Sequence, residues 1–234
     1  MDTMIKNIYQ INEQALMCDF GDNINKKINS NVISLFNYLN KYFVNKKLGI
    51  KNCVPSYNKL LIHYDLSQTN YKEMFDLINE LSKKQLSKHD NKELIILPVC
   101  YDKEFSLDLQ NIAKKINLTT DEIIDLHLST QFYVYMIGFM PGLAFMGDLN
   151  KKLYSSRLKT PRLSVPACSV AIVEKFCTIY PNESPGGWNI IGRTPQKLFF
   201  KEKKEPSLLK PGTTIKFQRI SKSEFFKFES KSNE

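Results

Sequence analysis

Two arginines beside prolines are the residues of this chain best placed to bind an anion. Arg162 follows Thr160-Pro161, and Arg193 precedes Thr194-Pro195. Proline locks φ, so each arginine extends from a stiffened backbone, and the planar guanidinium matches the geometry of a carboxylate or phosphate. The pattern predicts a preorganised pair of cations for such an anion. The alternative is the usual role of arginine, an ion pair at the surface.

A short segment from Glu183 to Trp188 places an acid, a hydroxyl and a Gly-Gly pair in succession. Gly186 and Gly187 lack a Cβ atom, so their backbone N–H groups can approach a bound anion closely. The pattern favours the competing interpretation, a tight hairpin in which Trp188 covers the core. His127 lies in a helical pattern rich in Ile and Leu. A histidine in that setting is more often a hydrogen-bonded structural residue than an acid–base group.

Templates for several other chemistries are absent from the sequence. It contains no G-x-S-x-G, no Walker A motif and no G-x-G-x-x-G. The five cysteines form no C-x-x-C pair and the three histidines do not cluster with them, so no metal site is expected. Cys168 and Cys177 flank a predicted strand, where one of them could be a reactive thiol. The alternative for both is inert burial as small apolar residues.

Composition bounds the kinds of partner that we expect. The net charge of +9 comes from lysine spread along the chain, without an arginine-rich stripe, so we expect no nucleic-acid partner. The longest uncharged apolar stretch, 132–146, contains Gly and Pro and is shorter than the roughly 20 residues of a bilayer span. The first twenty residues lack the apolar core of a signal peptide. These patterns predict a cytoplasmic protein without a membrane segment.

The first hundred residues predict a small α+β domain. Apolar residues three and four positions apart predict two amphipathic helices, one from Ile24 to about Val44 and one around Met74 to Leu81. Runs of apolar and β-branched residues predict strands at 8–20, 50–54, 60–64 and 94–99. The resulting order, β-α-β-β-α-β, is the ferredoxin-like pattern. We assign residues 1–90 to this domain, with the boundary in the polar segment 82–92.

The second half predicts a β-barrel or sandwich preceded by two helices. The helices are expected at 107–116 and 122–128, and Thr119 with Glu122 forms a capping box for the second. After these helices, short apolar runs alternate with Gly/Pro turns, a pattern typical of a β-barrel. Strands are expected at 133–139, 169–173, 178–180, 197–200 and 214–219. We assign residues 91–222 to this barrel domain and 223–234 to a C-terminal tail.

The chain resembles the family of bacterial 5-oxoprolinase B subunits, members of which are also labelled allophanate hydrolase subunit 1 or KipI. The motifs that carry the resemblance run in order along nearly the whole chain; they include KLLIHYD at 59–65, PVCYDKEFSLDL at 98–109, YMIGFMPGLAFMGDL at 135–149, TPRLSVPACSVAI at 160–172 and SPGGWNIIGRTP at 184–195. The resemblance implies an N-terminal ferredoxin-like domain and a C-terminal cyclophilin-like β-barrel. It also implies two partners, the C and A subunits of the same enzyme.

The resemblance implies an activity, the opening of 5-oxo-L-proline to L-glutamate with consumption of ATP, with Mg²⁺ as the accompanying ion. A lactam is a poor electrophile, and phosphorylation of its amide oxygen would create a leaving group, which requires cations around the phosphoryl oxygens. The residues that match family motif positions are then candidates for catalysis (His127, Arg193, Glu183) and for contact with substrate or phosphate (Arg162, Gly186, Gly187, Thr194).

The chain departs from the family pattern at several positions. The family commonly has Gly where this chain has Cys168 and Ala171, Gln-Thr-Gly where it has 176–178, and often Arg where it has Ser164. Two other functions stay open. One is inhibition of the autophosphorylation of a sensor histidine kinase, since KipI shares these motifs. The other, resting on fold alone, is prolyl isomerisation.

Overall fold

The structure, a computed structural model, describes residues 5–43, 49–84 and 94–231. The chain divides into two compact units, Met1–Asn91 and Lys92–Glu234, and each is treated by itself. The predicted boundary segment, 82–92, lies largely outside the described residues.

The first unit is a four-stranded antiparallel sheet with two helices. Its strands are β1 (Asn7–Asn12), β2 (Ala15–Asp19), β3 (Ile50–Pro55) and β4 (Lys59–Tyr64), in the order β1-β2-β4-β3. Helix α1 (Lys26–Tyr42) lies between β2 and β3, and α2 (Tyr71–Ser82) follows β4. Both helices begin at an asparagine whose side chain accepts a backbone N–H, Asn25 from Ile28 and Asn70 from Glu73. Such caps satisfy N–H groups that a helix start leaves unpaired.

The core of the first unit follows the two periodicities of its sequence. Alternate residues of β4 are fully buried (Leu60, Ile62, Tyr64), as are three residues at helical spacing in α1 (Val32, Leu35, Leu39). The predicted β-α-β-β-α-β order is not found. The extended segment 8–20 is a hairpin of two strands, and the predicted last strand, 94–99, belongs to the sheet of the second unit.

The second unit is built on a seven-stranded sheet. Its strands are β5 (Leu94–Val99), β6 (Phe132–Ile137), β7 (Ala144–Gly147), β9 (Ser169–Val173), β10 (Phe176–Ile179), β12 (Asn189–Arg193) and β13 (Thr214–Arg219). They lie in the order β12-β9-β10-β7-β6-β13-β5, and β5 runs parallel to β13. Strands β8 (Arg162–Val165) and β11 (Ser184–Gly186) form a separate pair. The helices are α3 (Leu109–Ile116), α4 (Thr120–Ser129) and α5 (Lys222–Lys231).

The two ends of the seven-stranded sheet meet and nearly close it into a barrel. Cys100, directly after β5, forms an isolated bridge with Arg193 at the end of β12. Each backbone N–H of the pair donates to the carbonyl of the other at 2.9 Å. A large cluster of buried apolar residues from the strands, α3 and α4 fills the core. The mixed α+β class and the barrel are therefore confirmed at this level.

Several local predictions can be compared with the second unit. The Thr119–Glu122 capping box is confirmed, since both of its hydrogen bonds are formed. The predicted strand at 197–200 is wrong, because the segment makes only one isolated bridge, between Phe199 and Ser207. The predicted tail, 223–234, instead carries most of α5, and Phe225 is buried with its ring 4.5 Å from that of Phe105. An aromatic anchor of this kind holds a terminal helix in place.

Candidate functional site

A cavity of about 390 Å³ lies in the second unit, and every residue that lines it falls between Phe139 and Trp188. The cavity falls within the Gly/Pro-rich window, 138–195, which holds six of the nine glycines, six of the ten prolines and three of the four arginines. Its walls are mostly apolar; they are formed by Phe139, Leu143, Phe145, Val173, Thr178, Tyr180, Trp188 and the segment 185–187. A concave, largely apolar space of about 300 to 1,000 Å³ is typical of sites that bind small molecules.

Aromatic rings form one wall of the cavity. Trp188, the only tryptophan of the chain, meets Phe145 edge to face, with ring centroids 5.8 Å apart. Tyr180 is buried, and its ring packs so closely on Gly186 that a Cβ there would lie 2.5 Å from the tyrosine hydroxyl. Glycine at 186 is therefore required by the packing of Tyr180. The predicted tight hairpin is not found, because β11 pairs with β8 and β12 pairs with β9. Trp188 does pack against a cluster of buried apolar residues.

The hydroxyl of Tyr180 is held in its protonated form. Burial raises the pKa of Tyr180, while the backbone N–H of Trp188 and the charges of Arg157 and Arg162 act in the opposite direction. The net effect is a raised pKa, so the group is an O–H donor at neutral pH. The two arginines act on Tyr180 through their charge, and Arg157 also lines the cavity.

Two charged residues line the cavity, Arg157 and Glu174. Both are exposed. Among the residues that the structure describes, neither side chain forms a hydrogen bond or an ion pair. The sequence patterns did not single out either residue. Arg157 is one of the three arginines of the Gly/Pro-rich window, but it has no proline beside it.

Two of the residues at the cavity hold a left-handed backbone. Phe139 has φ of 70° and Glu174 has φ of 46°, a conformation that costs a residue with a Cβ roughly 1–2 kcal/mol. Phe139 also exposes 73% of its surface, in the loop between β6 and β7. Strained backbone and an exposed aromatic ring are features that concentrate at binding sites.

Arg162, predicted to contact substrate or phosphate, forms an ion pair with Asp108. Its two terminal nitrogens donate to the two carboxylate oxygens at 3.0 and 2.7 Å, and Asp108 is only 3% exposed. The same carboxylate accepts the Ile190 N–H at 2.7 Å, while the Asp108 N–H donates to the Ile190 carbonyl at 2.9 Å. The arginine therefore supports the junction between α3 and β12, and its planar fork is occupied within the protein.

Arg193 and Thr194, two further predicted residues, lie at the seam that closes the barrel. The Arg193 Nε donates to the Ala167 carbonyl at 2.9 Å, and its guanidinium carbon lies 5.8 Å from the centre of the Phe225 ring. Thr194 is fully buried, and its hydroxyl accepts the Gln196 N–H at 3.1 Å. Neither residue lines the cavity.

His127, predicted as a catalytic residue, is completely buried in the barrel core. Its Nδ1 lies 2.7 Å from the Tyr101 hydroxyl, its Nε2 lies 3.6 Å from the Cys177 thiol, and its ring stacks on Phe217 with centroids 4.6 Å apart. Burial lowers the pKa of His127 from 6.5 to about 3, so the ring is neutral at ordinary pH. This environment is that of a hydrogen-bonded structural histidine.

The remaining predicted residues divide between the cavity and the surface. Gly186 and Gly187 line the cavity, and the Gly187 carbonyl accepts the Leu158 N–H at 2.8 Å. Glu183 is exposed just before β11 and does not line the cavity. Burial raises the pKa of Cys177 well above its usual range and also raises that of Cys168. Neither thiol has the lowered pKa that marks a reactive cysteine.

No group of three or more His, Cys, Asp or Glu side chains among the described residues could hold a metal ion. Within the same part of the chain, no helix combines the length and the apolar character needed to cross a membrane.

The chain matches a known class of protein over most of its length. The family described as carboxyltransferase domain, subdomain C and D, matches residues 6–209, and the chain belongs to this family.

Particular relatives narrow the comparison. The chain is 33% identical to the protein named as the B subunit of 5-oxoprolinase in Bacillus subtilis, over 97% of this chain and 98% of that protein. It is 45% identical to the protein of the same name from Haemophilus influenzae, over 53% of this chain and 58% of the other. The crystal structure of TTHA0988 matches with a TM-score of 0.79 and 27% identity over 90% of this chain. This chain spans only 40% of the length of TTHA0988.

Proposed function

We propose that this chain is the B subunit of a 5-oxoprolinase, which opens 5-oxo-L-proline to L-glutamate together with the A and C subunits and consumes ATP. The observation that carries the proposal is the identity of 33%, over nearly the full length of both chains, with the Bacillus subtilis relative of that name. The matching family and the second relative of the same name support it.

The chemistry of the substrate is compatible with the cavity. 5-Oxo-L-proline is a compact ring with a carboxylate, an amide N–H and a carbonyl oxygen. The cavity offers aromatic walls, the cation of Arg157, the carboxylate of Glu174 and the protonated hydroxyl of Tyr180. Ring opening breaks the C–N bond of the lactam, and water supplies the oxygen of the new carboxylate while the nitrogen leaves as the amine. We propose that this chain holds the lactam during that step.

The nucleotide is assigned to the assembled enzyme and not to this chain alone. Three of the predicted residues make contacts within the protein. Arg162 and Thr194, predicted for contact with substrate or phosphate, pair with Asp108 and accept the Gln196 N–H, respectively, and Arg193, predicted for catalysis, donates its Nε–H to the Ala167 carbonyl. The described residues also provide no cluster of ligands for Mg²⁺. The part we propose for the chain is binding and orienting the lactam.

The test is reconstitution with the A and C subunits encoded by the same genome. Purified chain, both partners, ATP, Mg²⁺ and 5-oxo-L-proline are mixed, and the release of glutamate and ADP is followed. We expect glutamate to form only when all three proteins are present, in a fixed ratio to ADP. Formation of no glutamate by the complete mixture would overturn the proposal. In that case, inhibition of a purified sensor histidine kinase would support the regulatory alternative.

A further inference from the structure

We propose that Arg157 makes the cavity selective for ligands that carry a carboxylate, and that it binds the carboxylate of the substrate directly. This inference rests on the proposed function and names the residue that recognises one group of that substrate. Arg157 lines the cavity and is opposite in charge to such a group. A guanidinium can bind a carboxylate through two parallel N–H donors, which is stronger and more specific than a single neutral hydrogen bond.

Arg157 is the arginine that lines the cavity, and its side chain is available to a ligand. Of the four arginines, Arg162 pairs with Asp108, Arg193 donates to Ala167, and Arg219 contacts an exposed carboxylate at 3.4 Å. Within the described part of the chain, Arg157 forms neither a hydrogen bond nor an ion pair through its side chain. Its fork of N–H donors is therefore open to an external anion.

The backbone around Arg157 is fixed by hydrogen bonds on both sides. The Ser155 carbonyl accepts the Glu174 N–H at 2.8 Å, and the Ser156 carbonyl accepts from the side-chain amide of Asn189 at 2.9 Å. On the other side, the Leu158 N–H donates to the carbonyl of Gly187, in the cavity wall, at 2.8 Å. Anchors at 155, 156 and 158 hold the arginine at the cavity, which lowers the conformational entropy lost on binding.

The opposite charge at the cavity, Glu174, refines the ligand class. It forms no ion pair with Arg157 among the described residues, so it does not occupy the guanidinium. A carboxylate beside an arginine would weaken the binding of a simple anion, but it can accept an N–H of the ligand. The two residues together fit a compact molecule with a carboxylate and an N–H donor, bound against the aromatic wall of Trp188 and Tyr180.

The experiment compares two ligands and three variants. Fluorescence of Trp188, the only tryptophan and a residue of the cavity wall, follows the titration of the isolated full chain with 5-oxo-L-proline or 2-pyrrolidinone. The second compound is the same ring without its carboxylate. The variants are Arg157→Gln, Arg157→Lys and, as a matched control, Arg219→Gln, which removes an exposed arginine outside the cavity. The KM for 5-oxo-L-proline of the reconstituted enzyme is measured for each.

We expect Arg157→Gln to weaken binding of 5-oxo-L-proline and raise KM about 10- to 100-fold, the usual effect of losing a charge-assisted hydrogen bond. Arg157→Lys should lie between Gln and the native residue, Arg219→Gln should match the native chain, and 2-pyrrolidinone should bind weakly and equally to all. Unchanged affinity and KM in Arg157→Gln would overturn the inference, as would equal binding of both ligands. So would the absence of binding to the isolated chain together with an unchanged KM.

Failure of the proposed function gives a different result. If the reconstituted enzyme releases no glutamate but the isolated chain still binds the carboxylate-bearing ring through Arg157, the inference stands and the activity does not. If the enzyme is active while Arg157→Gln behaves like the native chain, the activity stands and the inference fails.

Discussion

Breaking the pair of Asp108 and Arg162 tests whether this predicted anion-binding arginine is structural. Asp108 is 3% exposed and accepts three N–H groups, two from Arg162 and one from Ile190. Arg162→Met leaves the buried carboxylate with only the Ile190 N–H. Removing one partner of a buried ion pair typically costs about 3–5 kcal/mol. The Arg162 side chain keeps 27% of its surface exposed, so solvent screens the pair and we expect about 3 kcal/mol.

The assay is unfolding by guanidinium and by heat, followed by the fluorescence of Trp188, which lies in the same unit as the pair. A loss of about 3 kcal/mol corresponds to a fall in Tm of roughly 6–12 °C for a chain of this size. Asp108→Asn should be less costly than Arg162→Met, because the amide oxygen still accepts the Ile190 N–H. The double variant should lose about 1–3 kcal/mol less than the sum of the single variants.

If Arg162→Met kept its native stability within about 0.5 kcal/mol, the range of an ordinary surface substitution, the ion pair would not be structural. If that variant at the same time lost affinity for 5-oxo-L-proline, the prediction of a substrate-binding arginine would be the correct one.

Single positions give three further predictions. Burial lowers the pKa of His127 in the folded chain to about 3, from 6.5 for a free histidine, so its contribution to stability is present above about pH 6.5 and falls by about 1.4 kcal/mol per pH unit below it. When guanidinium unfolding is measured between about pH 7 and pH 5, the stability of His127→Gln should therefore fall less steeply than that of the native chain. Equal slopes would contradict a buried neutral histidine. Gly186→Ala should destabilise the chain by about 1–3 kcal/mol, because its Cβ would lie 2.5 Å from the Tyr180 hydroxyl. Gly187→Ala should be nearly neutral, because its Cβ would lie 3.6 Å from its nearest neighbour. Equal Tm values for the two variants would contradict this prediction. Cys168→Gly should raise stability by about 1 kcal/mol in the same thermal melts, because φ at Cys168 is 63° and glycine adopts that value without strain. A lower Tm would show that packing of the thiol outweighs the backbone strain.

Features set by local sequence were predictable. The periodicity of 24–44, the capping box at Thr119 and the short strands of the barrel are each determined by residues a few positions apart. The glycine that the family commonly has at position 168 is explained by the left-handed backbone there. The Gly/Pro-rich window also contains the whole cavity.

Features set by distant partners were not predictable from one sequence. Strand 94–99 pairs with 214–219 in the sheet of the second unit. No residue pattern near 94–99 indicates that this strand does not belong to the sheet of the first unit. The use of Arg162 depends on Asp108, 54 positions earlier, and that of His127 on the rings and hydroxyl around it. The sequence patterns do not identify the arginine at the cavity, because Arg157 has no proline beside it and its anchors are hydrogen bonds from other segments.

We propose that the cavity lined by residues between Phe139 and Trp188 holds the lactam in an assembled 5-oxoprolinase. The most direct measurement is glutamate release by the reconstituted enzyme with the native chain, with Gly186→Ala and with Gly187→Ala, each first shown to be folded by its Trp188 fluorescence. We predict release by the native chain and by Gly187→Ala, and loss of most activity in Gly186→Ala, where the displaced Tyr180 ring narrows the cavity. No release by the native chain, or equal release by all three, would contradict the account.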